Sequence, residues 1–91
     1  KLLAKVNENI KYTLILKNIP FNKISKIRRY FEDWTQFTVY KNFQKNVIQF
    51  HKFLTPWSYK VKAVVYTTDW QVYESSLIQW VYGNDACSPS N

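Results

Sequence analysis

Between Lys23 and Gln36 the residues Ile24, Ile27, Phe31 and Trp34 recur at steps of three, four and three. That spacing keeps apolar side chains on one helical face, while Lys23, Lys26, Arg29, Glu32 and Asp33 occupy the others. Pro20-Phe21-Asn22 stops the preceding segment, and Asn22 supplies a capping side chain. The pattern predicts one amphipathic helix over about Lys23–Gln36 with Trp34 in the core. Elsewhere the period is two. Tyr12, Leu14 and Leu16 alternate with Thr13, Ile15 and Lys17, and Phe37 to Lys41 is a short strand. Asn42 to Asn46 carries turn residues, Val47 to Leu54 is extended, and Trp57 shapes the bend at Thr55-Pro56-Trp57-Ser58. Tyr59, Val61, Ala63 and Val65 alternate with Lys60, Lys62, Val64 and Tyr66; Thr67 to Gln71 turns, and Val72 to Tyr82 is the last strand. The predicted order is β-α-β-β-β-β, an α+β domain of one helix packed on a curved antiparallel sheet. It covers residues 1–84, with a flexible tail at 85–91.

Composition limits what such a domain does. The chain has 91 residues, 17 of them aromatic, enough for one core and no second domain. Cys87 and His51 are the only residues of their kinds, which excludes disulfide scaffolds, zinc fingers and iron–sulfur clusters; no cofactor or metal is expected. His51 has no carboxylate, serine or cysteine near it in sequence, and Gly83 is the only glycine, so no catalytic residue is assigned and the chain reads as a non-enzyme. The longest apolar run is the four residues Ala63 to Tyr66, too short to span a membrane. All thirteen basic residues lie between Lys1 and Lys62 against three acids, a net +10. The remainder, with Asp69, Glu74 and Asp85, is mildly acidic. The chain begins Lys-Leu-Leu and holds no Met, which reads as a processed product of a secretory or mitochondrial precursor. In an oxidising compartment Cys87 can link two chains.

Ala63-Val64-Val65-Tyr66-Thr67-Thr68-Asp69-Trp70-Gln71 resembles the late hairpin of cystatins, and the predicted element order is similar to theirs. Phe43-Gln44-Lys45-Asn46 falls where that family places its first hairpin loop. Asp69 stands where the family has Pro, and the first loop keeps only Gln44. The resemblance implies a secreted protein-binding domain, in its sharpest form an inhibitor of papain-like cysteine proteases. Its binding edge would be Gln44, Lys45 and Asn46 with Asp69, Trp70 and Gln71. Leu14-Ile15-Leu16-Lys17-Asn18-Ile19-Pro20-Phe21 is similar to the first-strand signature of RNA-recognition motifs. With the basic front half, it supports an alternative, a basic RNA-binding module using Arg28, Arg29, Lys52, Lys60 and Lys62. A further alternative is a small basic subunit of a larger assembly, such as a mitochondrial complex.

Overall fold

The stretch expected to be helical is a strand. The computed structural model describes residues 2–83; among them there is no α-helix, only a short 3-10 turn at Phe21–Lys23. The strands are β1 (Leu3–Lys5), β2 (Ile10–Ile15), β3 (Ile24–Tyr30), β4 (Gln36–Val39), β5 (Asn46–His51), β6 (Trp57–Thr67) and β7 (Val72–Tyr82). The α+β order is therefore corrected to an all-β one. The physical reason is a β-bulge. Ile24 faces Thr67 and Lys26 faces Tyr66, so Ser25 is an extra residue on β3. With one residue inserted, Ile24 and Ile27 reach the same side of a strand although they are three apart. From there Ile27, Arg29 and Phe31 follow the two-residue period of a strand and are all buried. Asn22 makes no capping bond, since the turn begins at Pro20 without a side-chain cap. Trp34, expected in the core, is fully exposed at 104% on the β3–β4 loop, and Trp57, expected to shape a bend, opens β6 and is exposed.

The five-stranded sheet runs β1-β7-β6-β3-β4, and β2 and β5 form a separate antiparallel pair. The large sheet is mixed rather than antiparallel, because β1 runs parallel to β7. The β2–β5 pair lies against one face of the large sheet, and the core fills the space between. Ala4, Ile10, Tyr12, Phe31, Phe53, Tyr59, Val61 and Val81 form the larger cluster; Leu16, Ile24, Ile27 and Val65 form the smaller. Phe31 lies at the centre of the larger cluster, stacked on the His51 ring at 3.9 Å and 10° and set edgewise to Phe37 and Phe53. The polar groups inside are satisfied. Tyr12 donates to Gln79 Oε1 at 2.8 Å, and Arg29, 6% exposed, donates to the carbonyls of Tyr12 (3.2 Å) and Val47 (3.5 Å). Burial pushes the Tyr12 phenol up and the Arg29 guanidinium down from their ordinary values. Two strands do not cover five, and among the described residues no further element lies over the far face of the large sheet.

Candidate nucleic-acid interface

Strand alternation decides what the bare face carries. On β6 the residues Tyr59, Val61, Ala63, Val65 and Thr67 are buried on the inner side, so by alternation Lys60, Lys62, Val64 and Tyr66 lie on the outer one, where Val64 is itself buried at 4% exposure. Register then assigns the neighbours. Lys26, Arg28 and Tyr30 of β3 lie opposite Tyr66, Val64 and Lys62. Ile78, Ser76, Glu74 and Val72 of β7 lie opposite Lys60, Lys62, Val64 and Tyr66. Trp80 lies between Ser58 and Leu3, and Tyr82 beside Lys5. The face thus gathers the cations Lys5, Lys26, Arg28, Lys60 and Lys62 around Glu74, with Glu8 Oε1 accepting the Lys5 backbone N–H at 3.0 Å at its edge. Lys26 Nζ lies 4.8 Å from the Tyr66 ring centroid and Lys62 Nζ 5.3 Å from that of Tyr30. Arg28 donates from Nε to Thr38 Oγ1 (3.3 Å) and from Nη1 to the Tyr30 hydroxyl oxygen (3.4 Å). The Arg28 bond holds the Tyr30 phenol below its usual range, while donating to Tyr30 pushes the Tyr66 phenol up. Trp80 is 57% exposed. Glu32 marks one rim of the face, accepting the Lys60 backbone N–H at 2.7 Å.

The basic residues singled out from the sequence divide. Arg28, Lys60 and Lys62 share this face. Arg29 is corrected to a core residue, because it is the next residue along β3 from Arg28 and therefore points the opposite way. Lys52 follows β5 of the two-stranded sheet, in the other layer. Lys26, Tyr30, Tyr66, Trp80 and Tyr82 were missed. Their signal was present as alternation on β6, but β3 had to be recognised as a strand before its residues could be placed beside them.

The residues assigned to a protein-binding edge occupy two turns at one end of the molecule. Gln44 and Lys45 lead into β5, which Asn46 opens, and Lys45 accepts the Leu16 N–H through its carbonyl (2.8 Å). Asp69, Trp70 and Gln71 form the β6–β7 turn, which is tied to the 3-10 turn by the Thr68 N–H donating to the Lys23 carbonyl (2.8 Å). Inside that turn Thr67 donates its hydroxyl to Asp69, which lowers the Asp69 carboxyl from its ordinary value, and accepts the Gln71 N–H at 2.9 Å. Trp70 is 90% exposed at φ 68°. The two turns belong to different layers, so they share an end but not a sheet. Cys87 and the tail at 85–91 lie outside the described residues.

At the opposite end His51 Nε2 lies 2.7 Å from Asp33 Oδ2, a partner that sequence distance hid. Among the described residues no group of three or more His, Cys, Asp and Glu side chains is placed to hold a metal ion, and no helix is long and apolar enough to cross a membrane. No known protein family matches this chain, and no curated protein sequence matches it.

Proposed function

We propose that the protein binds single-stranded nucleic acid across the outer face of its five-stranded sheet. The observation that supports this is the interleaving of cations and rings there, Lys26 on Tyr66 and Lys62 on Tyr30. A single strand needs positive charge along its phosphates and flat rings for its unstacked bases, and each alone is insufficient. In the free protein the lysines rest on the tyrosine rings. On binding, a base takes the ring and the ammonium moves to a phosphate.

The test is fluorescence anisotropy of a labelled oligouridylate at low salt. Trp80→Ala or Tyr30→Ala removes a stacking ring and is expected to cost about 1–3 kcal/mol of binding. Lys62→Glu is expected to weaken binding by about tenfold. Lys52→Glu, a charge change outside this sheet, serves as the control, and circular dichroism of each variant checks folding. Binding that survives Trp80→Ala, Tyr30→Ala and Lys62→Glu unchanged excludes this face.

Trp70 favours a second reading, in which the β6–β7 turn anchors a protein partner. Inhibition of a papain-like protease that Trp70→Ala weakens supports it; no inhibition at micromolar protein discards the protease form.

A further inference from the structure

Among the described residues, the edge of the large sheet at β7 is open over most of its length. β1 pairs only with Trp80, Val81 and Tyr82, and the hairpin turn closes the other end at Gln71. Between them lies a lane from Val72 to Ile78, every residue of which is exposed. The hydrogen bonds at its two ends give the phase. Gln71 bonds inward to Thr67, whereas the Trp80 N–H donates outward to Leu2 and the Tyr82 carbonyl accepts outward from Val6. Even-numbered residues therefore turn their backbone N–H and C=O away from β6, and Val72, Glu74, Ser76 and Ile78 present them unpaired along the lane.

Sheet edges of this kind are normally blunted by lysine, proline, a bulge or shortness. β4, the opposite edge, has four residues and β1 has three. In a chain with thirteen basic residues, none lies on β7; Val72–Ile78 also holds no proline, and its one charge is Glu74. The lane carries neither the basic residues nor the proline that blunt such edges.

We infer that two copies of this chain pair antiparallel through Val72–Ile78 about a two-fold axis at Ser75. The lane itself points to a second copy. A two-fold perpendicular to the sheet joins residues of the same face, so the axis must pass through one residue of β7. Centred on Ser75, all seven residues of the lane are used. Val72 then faces the partner's Ile78, Tyr73 faces the partner's Leu77, and Glu74 faces the partner's Ser76. Apolar residues meet apolar ones and the carboxylates are kept apart. Centring on Glu74 sets the two carboxylates directly opposite, and centring on Ser76 leaves Val72 and Tyr73 outside the pairing. The four outward residues of each copy then exchange roughly eight backbone hydrogen bonds, two for each pair. The hairpin turn of each copy abuts β1 of the other, which closes the lane at both ends. Because the axis is perpendicular to the sheet, the two cationic faces fall on the same side of one continuous ten-stranded sheet. The inference rests on the edge and not on nucleic-acid binding.

The test uses the 91-residue chain carrying Cys87→Ser, without nucleic acid. Light scattering across a concentration series is expected to reach twice the mass of one chain. Ser75→Cys places two thiols in a non-hydrogen-bonded antiparallel pair, with Cα atoms about 4.5 Å apart, within disulfide reach. It is expected to cross-link under air, whereas Leu77→Cys, whose opposite number is Tyr73, is not. Ser76→Pro removes one outward N–H and leaves the bonds to β6 intact, so it is expected to give a folded monomer by circular dichroism. A chain that remains monomeric at every concentration overturns the inference. So does a dimer in which Leu77→Cys links as readily as Ser75→Cys, or one that Ser76→Pro leaves intact.

Discussion

Among the described residues, six non-glycine positions hold a positive φ: Asn7, Asn18, Glu32, Trp34, Asn42 and Trp70. Three are asparagines, which tolerate that region; a tryptophan there carries the clash of its Cβ with the backbone, about 1–2 kcal/mol. Trp70 is exposed, so its ring returns little of this. Trp70→Gly is expected to raise stability by about 0.5–1 kcal/mol in urea unfolding, since glycine takes that conformation freely. A stabilising substitution that also removes a binding activity would identify Trp70 as retained for that activity. Tyr30 gives a second prediction. Its phenol is lowered by the Arg28 bond, so as pH rises it ionises below the ordinary phenol range near ~10. Ionisation puts a negative charge among the cations. Nucleic-acid affinity is expected to fall as pH rises through that lowered value, and Tyr30→Phe, which keeps the ring, is expected to abolish this alkaline loss.

At the scale of elements, the bulge in β3 is the decisive feature. Because Ser25 is the unpaired residue, deleting it leaves Ile24 opposite Thr67 and Lys26 opposite Tyr66. That deletion is expected to fold, with a stability change within about 2 kcal/mol. Deleting Arg28 instead shifts the strand by one residue and turns either Ile27 or Arg29 to the wrong face, and is expected to abolish the cooperative urea transition. The same bulge explains which elements were legible. β6 from Tyr59 onward, β7 and the turn at Thr67–Gln71 were read as extended segments and a turn, because Tyr59 to Ala63 alternates with period two and turn residues separate the two strands. Ile24, Ile27 and Phe31 imitated a helical stripe because one inserted residue turns a spacing of three into a same-face pair. β1 was missed, three residues being too few to display a period.

For the whole molecule, the uneven cover matters most. Two strands shield one side of the five-stranded sheet, which leaves its other face and the β7 lane to solvent. If all five cations of the bare face engage phosphates, affinity for a single strand is expected to fall with a log–log salt slope of about −3.5, measured by titration at several salt concentrations. Each removal of one of these lysines is expected to reduce that slope by about 0.7. The concentration of charge in the first two thirds of the chain was visible from the start, but which charges act together was not. Arg28 and Arg29 are neighbours in sequence and lie on opposite sides of the sheet. Lys26 and Tyr66 are 40 positions apart and touch.

What the sequence determined alone is local. The alternation from Tyr59 to Ala63 on β6 sets which side chains turn to the core and which turn away, because strand period depends only on backbone geometry. The turn at Thr67–Gln71 follows from the same local chemistry. What only the tertiary structure decided is which strands are neighbours. That includes the carboxylate partner of His51, the enclosure of Arg29, and the gathering of Lys26, Arg28, Tyr30, Lys60, Lys62 and Tyr66 on one face. Pairing across the sheet is a long-range choice, made by burial of the shared core and by register, and neither is written in any single segment.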